Sequence, residues 1–285
     1  VHYINIRTGA TYDCDMDGIN LIDSKGISFS ISDNIELYGG RLICSGEGAI
    51  VRNQLFSLDL SNLWDICRKD CRAWNRLVTF LLEREKRLSW ESVPDLPVPE
   101  EHLPLLERLK SDGYLSFSLD DRRRILSLSY KNGNIEKCFS KEGQLLEYLV
   151  YDTARNARDK EGKKYYNDVK TGVVIGWDKN QEDNSDVIPD NEIDVMMMRG
   201  MIPCFVSCKN GAVSSDELFL LRGVSIRFGG KYSVPILIAP AIEDDPKSLM
   251  LLRRASDMGI RVIPDADRLT KNQLEEQIKK ATENN

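Results

Sequence analysis

The chain has 285 residues, a net charge of −6, 41% hydrophobic and 29% charged side chains, an ordinary globular mixture long enough for two or three domains. No apolar run approaches the roughly 20 residues that cross a bilayer, and no basic-then-apolar leader points to secretion. The negative balance argues against a general polyanion-binding coat while leaving room for a local basic groove.

Seven cysteines, at 14, 44, 67, 71, 138, 204 and 208, are odd in number and never spaced CxxC. That pattern fits reduced thiols in a cytoplasm better than disulfides or a zinc site. Cys67 and Cys71 lie four apart on an expected helix, where they either share a metal or simply pack. With only His2 and His102 available, a hydrolase triad has little to draw on. The chain opens on Val1 rather than Met, which suggests processing or a piece of a longer protein.

In chain order, residues 1–50 offer short strands at "VHYINI", "INLID", "ISFSIS" and "LIC", separated by Gly, Asp and Asn turns. One long helix is expected from Leu60 to Lys86, because Leu60, Leu63, Trp64, Cys67, Cys71, Leu77 and Leu81 keep helical spacing. "SVPDLPVPEEH" breaks it with three prolines. Leu103, Leu106 and Leu109 share the face of a further helix that Gly113 stops. "YLSFSL" and "ILSLSY" then alternate around "DDRRR", a hairpin. Helix followed by hairpin is the closing part of a winged helix, with Arg122, Arg123 and Arg124 at its tip. They serve there either as a phosphate contact or as a solvated turn.

From residue 141 the pattern becomes α/β, a mixed sheet with helices on its faces. "GQLLEYLVYDTARNA" is a helix and "TGVVIGWDK" a strand. The polar loop "NQEDNSDVIPD" follows, and then "NEIDVMMMRGMIPCFVSCKNG", two strands and a turn. Met196, Met197 and Met198 are expected to pack in the core. "SSDELFLLRGVSIRF" is a helix with Ser214 and Glu217 spaced as a capping box. "VPILIAP", "DPKSLMLLRRASDM", "IRVIP" and "TKNQLEEQIKKA" continue as strand, helix, strand and helix, and Thr270 and Gln273 form another capping box. The expected division is 1–50, 51–140 and 141–285.

Side chains two apart on a strand share a face. Glu192 and Asp194 therefore point one way on the first strand, and Ser207 and Lys209 one way on the second. If the hairpin registers, carboxylates, a hydroxyl and an ammonium group converge. Hard cations such as Mg²⁺ take oxygen ligands and keep several waters, so one or two carboxylates suffice. The competing reading is an edge hairpin carrying a surface ion pair.

This arrangement resembles the PD-(D/E)xK nuclease core, with an acid on one strand and a hairpin return carrying (Glu/Asp)-x-Lys. The resemblance implies roles for Asp194 and for "SCK", residues 207–209, with Glu147 of the preceding helix as a further acid. It also implies that the Cys208 main-chain carbonyl completes a Mn²⁺ or Mg²⁺ shell and that Lys209 assists the attacking water. Ser207 departs from the pattern, standing where the superfamily carries Glu or Asp; Glu192 is a nearby substitute.

The stretches "GQLLEYLVYDTARNA", "NEIDVMMMRGMIPCFVSCKNG", "ELFLLRGVSIRFGGK" and "MGIRVIPDADRL" are together similar to the CARF-linked nucleases of type III CRISPR systems. That resemblance implies an antiviral effector that cuts single-stranded DNA, and in some members RNA. Such effectors act as homodimers under the control of a cyclic oligoadenylate bound by a CARF sensor, joined to the nuclease by a winged-helix-like segment. "VHYINIRTGATY" resembles only the tail of such a sensor, so most of it is expected to be missing here. Arg155, Arg158, Lys160, Lys163 and Lys164, with Tyr165 and Tyr166 beside them, interleave charge and rings in a way that suits a single strand, the alternative for each charge being a solvated surface position. Arg222, Arg227 and Lys231 are further phosphate candidates. Two alternatives share the same core: a nucleic-acid-binding regulator without catalysis, and a restriction or junction-resolving endonuclease.

Overall fold

The computed structural model describes residues 2–7, 9–15, 18–23, 26–46, 54–176, 192–211, 213–240 and 246–283. The expected polar loop "NQEDNSDVIPD" lies outside the described residues. The chain divides into two compact units, one formed by Val1–Gly48 with Val150–Asn285 and the other by Ala49–Leu149.

The first unit is mixed α/β. Its six-stranded sheet holds β4 (Arg41–Cys44), β7 (Asp168–Gly176), β8 (Glu192–Arg199), β9 (Ile202–Cys208), β10 (Val234–Ile238) and β11 (Arg261–Ile263). The order is β11-β10-β9-β8-β7-β4. β9, β10 and β11 run parallel, whereas β4, β7, β8 and β9 pair antiparallel. The apolar run Val195–Met198 is buried throughout, as a central strand covered on both faces requires. The three methionines are core residues, each contributing about 1.5–3 kcal/mol by burial. Helix α7 (Ser215–Gly229) packs on β9 and β10, and α9 (Lys271–Glu283) on β10 and β11. α8 (Pro246–Asp257) packs on β11.

A separate three-stranded sheet is formed by β1 (His2–Ile4), β2 (Thr11–Asp15) and β3 (Gly18–Asp23). The alternating "ISFSIS" is not a strand. Ser30 instead forms a capping box with Asp33 and starts helix α1, Ile31–Leu37. The local exchange of two hydrogen bonds at the cap outweighs the period-two pattern. Ile31 and Ile35 of α1 join the sheet's apolar cluster. The helix is pinned at Ile31 N–H, which donates to Asp168 Oδ2 (2.8 Å), and by Asn34, whose amide donates to the Phe228 carbonyl (2.6 Å).

The second unit contains α2 (Gln54–Cys67), α3 (Cys71–Leu88), α4 (Leu103–Ser111), α5 (Gly133–Lys137) and the hairpin of β5 (Leu115–Leu119) and β6 (Ile125–Tyr130). Helix α6 (Gln144–Asn156) begins in it and carries the chain across the division at residue 150. The single long helix expected from Leu60 to Lys86 is two helices. Asp70, with extended φ of −155, accepts from Ala73 N–H and caps α3. Cys67 and Cys71 therefore sit on different helices, and the shared-helix metal reading falls. Trp64, Leu77 and Leu81 are buried together with Leu106 and Leu109. Arg84, only 6% exposed, donates to the Ile125 carbonyl at 3.3 Å, and its Nε has no hydrogen-bond partner. It lines an open groove of ≈ 380 Å³ with Glu85, Tyr130 and Glu136.

The tip arginines serve the turn itself. Arg123 adopts φ +61 and pairs with Glu100 (2.8 Å), and Arg124 pairs with Asp120 (2.7 Å). Asp120 also accepts from the N–H groups of Arg122 and Arg124.

Candidate functional site

β8 and β9 register with Val195 opposite Val206 and Met196 opposite Phe205. Continuing that ladder by one step brings Asp194 level with Ser207. The Asp194 carboxylate accepts from Cys208 N–H at 2.7 Å, and Ser207 Oγ lies 3.4 Å from the same oxygen. Asp194, the Ser207 hydroxyl and the Cys208 N–H thus meet. Charge-assisted bonds of this kind fix a carboxylate's direction as well as its position.

The backbone under Asp194 is special. β7 and β8 pair Thr171 with Val195 and Val173 with Ile193, and between them Gly172 takes φ +55, a left-handed conformation cheap only for glycine. Thr171 Oγ1 donates to the Asp194 carbonyl at 3.0 Å, holding the strand at this interruption of the pleat. Glu192, expected on the same face, is exposed, whereas Asp194 is half-buried.

Lys209 follows at the carboxyl end of β9, with its N–H on the Ile238 carbonyl. Its ammonium group pairs with Glu217 Oε1 at 2.9 Å. Glu217 occupies the third position of α7 and accepts from Ser214 N–H at 2.7 Å, closing the expected capping box. Burial raises the Glu217 carboxyl, but the Ser214 N–H and the Lys209 ammonium outweigh it, leaving the group below its ordinary range. Spacing in the sequence marks Glu217 only as a cap. The missed signal was topological, because a helix leaving the end of a strand returns over it and brings its first-turn acid back to the strand's carboxyl end.

Glu147 lies on α6 within the Ala49–Leu149 unit, 4% exposed. There it pairs with Lys141 (3.1 Å) and accepts from the Gln144 amide (3.0 Å). A buried carboxylate is tolerated only with such partners.

The basic candidates divide. Lys163 pairs with Glu161 at 2.8 Å on an exposed turn, and Lys164 forms the backbone bridge to Arg158 that closes it. Tyr165 and Tyr166 are turned toward α9. The Tyr165 hydroxyl donates to Glu283 (2.8 Å), with Arg199 4.3 Å from its ring centroid, and Tyr166 hydrogen-bonds with Thr282. Burial, joined by the Glu283 carboxylate, pushes the Tyr165 phenol up to about 12. Tyr166 is 3% exposed, so it offers no face to a base. Arg155 is half-buried on α6, while Arg227 and Lys231 are exposed near the end of α7.

The Asp194 carboxylate and the Ser207 hydroxyl are oxygen groups, the kind that Mg²⁺ and Mn²⁺ take rather than zinc. Among the described residues no group of three or more His, Cys, Asp and Glu side chains converges to hold a metal ion. A hard cation bound here would keep several waters. Asp194 supplies one carboxylate, the minimum that such an ion takes.

No protein-family model matches the chain, and no curated protein matches it. Among solved structures, the protein VC1899 from Vibrio cholerae is similar at 17% identity with a TM-score of 0.69, over 100% of this chain and 70% of that one. Can2 from Sulfobacillus thermosulfidooxidans, solved in complex with cyclic tetra-adenylate, is similar at 12% identity with a TM-score of 0.59, over 99% and 67% of the two chains. The likeness is one of fold. No helix among the described residues is long and apolar enough to cross a membrane.

Proposed function

We propose that this chain is a metal-dependent nuclease with a restriction-endonuclease-like core, part of a type III CRISPR effector that answers to a cyclic oligoadenylate. The observation that carries the reading is the Asp194 carboxylate gathered onto Cys208 N–H beside Ser207, with the Lys209 ammonium held one residue further on. Likeness of fold to Can2, a protein solved with cyclic tetra-adenylate, supports the activator class. Single-stranded DNA or RNA is the proposed substrate and a homodimer the proposed assembly.

When bound, a divalent cation supplies electrophilic assistance at the scissile phosphate. Asp194 and the Cys208 carbonyl are the groups that would hold it. Asp194 keeps its direction because the Cys208 N–H and the Thr171 hydroxyl fix its side chain and backbone. Lys209 presents a cation to the phosphate and orients the attacking water. Arg155, Lys163, Lys164, Arg227 and Lys231 are proposed to meet backbone phosphates.

The test is incubation of the purified chain with short single strands and plasmid in Mn²⁺, Mg²⁺ or EDTA. Cleavage that needs the metal is expected. Ser207 in place of an acid favours one other reading, a regulator that binds without cutting, and metal-independent binding with intact substrate would select it. Discrete sequence- or structure-dependent products would instead indicate a restriction or junction-resolving enzyme.

A further inference from the structure

Helix α7 turns Leu218, Leu221, Ser225 and Phe228 inward, three of them into the apolar cluster that backs the sheet. A surface helix with such an inner face ordinarily carries polar residues on its outer side. α7 does not. Its outer stripe runs Asp216, Phe219, Leu220, Gly223, Ile226 and Arg227, the spacing of one helical face. Phe219, Leu220 and Ile226 are 57%, 64% and 48% exposed.

Gly223 sits at the centre of the stripe. Glycine costs a helix interior more than any residue but proline, so its place there needs a reason. The chain's own packing supplies none, because a methyl group built at Gly223 meets no atom of the described residues within 4 Å. The bare position suits an approach from outside the chain, since glycine admits another backbone closer than any side chain does.

We infer that α7 is a dimer interface, crossed antiparallel by the same helix of a second copy with the two-fold axis at Gly223. The inference deepens the homodimer proposed above and rests on it. A two-fold interface must be complementary to itself, and the stripe meets that condition. Leu220 and Ile226 lie three residues either side of Gly223, and Phe219 and Arg227 four. Across the axis Leu220 therefore faces the partner's Ile226, and Phe219 the apolar stem of the partner's Arg227. Asp216 opens the helix, and Arg227 and Lys231 stand exposed at its end. Running antiparallel, the acidic start of each helix meets the basic end of the other, whereas parallel helices would set acid on acid. Rim charges stay solvated, so Arg227 and Lys231 remain within reach of the phosphates proposed for them.

The three apolar side chains expose roughly 100 Å² each, so two copies bury roughly 600 Å² of apolar surface. With an apolar share of about 60%, that corresponds to roughly 1,000 Å² in all, where specific though weak association begins.

Sedimentation equilibrium of the full chain over a range of concentrations reads the dimer constant. It is measured for the parent, Gly223→Leu, Ile226→Lys, Asp216→Lys and Asp216→Lys/Lys231→Asp. Leu249→Lys probes another exposed apolar residue, on α8 and outside the stripe. Chemical denaturation at dilution, where the monomer prevails, checks folding. The parent is expected to dimerise. Gly223→Leu places a better helix former on the open face, so the monomer's midpoint holds or rises. The crowded crossing weakens the dimer roughly 10- to 100-fold, and Ile226→Lys weakens it to a similar degree. Asp216→Lys also weakens it, and adding Lys231→Asp recovers most of that loss. Leu249→Lys matches the parent. A role for Gly223 in the monomer's own packing would lower the midpoint together with the dimer constant.

Parental dimerisation in Gly223→Leu or Ile226→Lys overturns the inference, as does a loss in Asp216→Lys that Lys231→Asp fails to recover. So does an equal loss in Leu249→Lys, and so do assemblies larger than a dimer. A parent that stays monomeric overturns the homodimer and this inference with it. A parent dimer indifferent to every change on α7 overturns the inference alone.

Discussion

The approach of Ser207 to Asp194 was legible from the sequence because a strand's two-residue period and a tight connection leave little freedom in where such side chains go. The partner that Lys209 chooses was not legible, since it depends on how α7 returns over β9, a tertiary fact. Asp194→Asn preserves shape and removes the charge, and it should abolish metal-dependent cutting with the melting temperature intact. Lys209→Ala should lower the cleavage rate by about 10²–10⁴-fold, the usual worth of a positioned proton-handling group. Single-turnover cleavage in Mn²⁺ checks both.

Two further residues bear on stability. His102 is 4% exposed and packs at a tilt against Phe80, and burial lowers its affinity for a proton. The unfolded chain thus binds that proton first as pH falls below the ordinary histidine value of about 6.5. Stability is full above that value and is lost on acidification through the depressed native value. Denaturant midpoints from pH 7.5 to 5 should decline less in His102→Gln than in the parent. Arg84, buried with an unpartnered Nε, costs desolvation that hydrogen bonding does not repay. Arg84→Met should be neutral or raise the unfolding free energy by about 1 kcal/mol, read from chemical denaturation.

At the level of elements, β5 and β6, α6, β8 and β9, and the two capping boxes at Ser214 and Thr270 follow their sequence signals closely, whereas the short α5 carried no expectation. The failures share one cause. "ISFSIS" alternates like a strand, and the run from Leu60 to Lys86 repeats like one helix, because periodicity averages over a window. Ser30 and Asp70 decide instead through single side-chain bonds to backbone N–H groups. Asp70→Ala should therefore lower stability by about 1 kcal/mol, measurable as a shifted denaturation midpoint. Gly200, in the turn between β8 and β9, has φ +62, and a methyl group there would stand 2.3 Å from the Arg7 carbonyl oxygen. The residues around β1 are tied to that turn through Met201 N–H to the Ile6 carbonyl. Such a conformation and approach were invisible in "MRGM".

For the molecule as a whole, mixed α/β architecture was readable from the alternation of apolar strands and amphipathic helices. The membership of β4 in the large sheet was not, because the partners Arg41 and Gly176 are separated by an entire second unit. No local pattern records a pairing across that distance. The Asp168 carboxylate that receives the first N–H of α1 lies 137 positions downstream. During synthesis, which delivers roughly 5–20 residues per second, the segment holding α1 and β4 must wait without its partners while the contiguous residues 49–149 emerge and collapse first. A chain cut short before β7 should therefore leave α1 and β4 open to amide exchange, since the strand they close against has not yet been made.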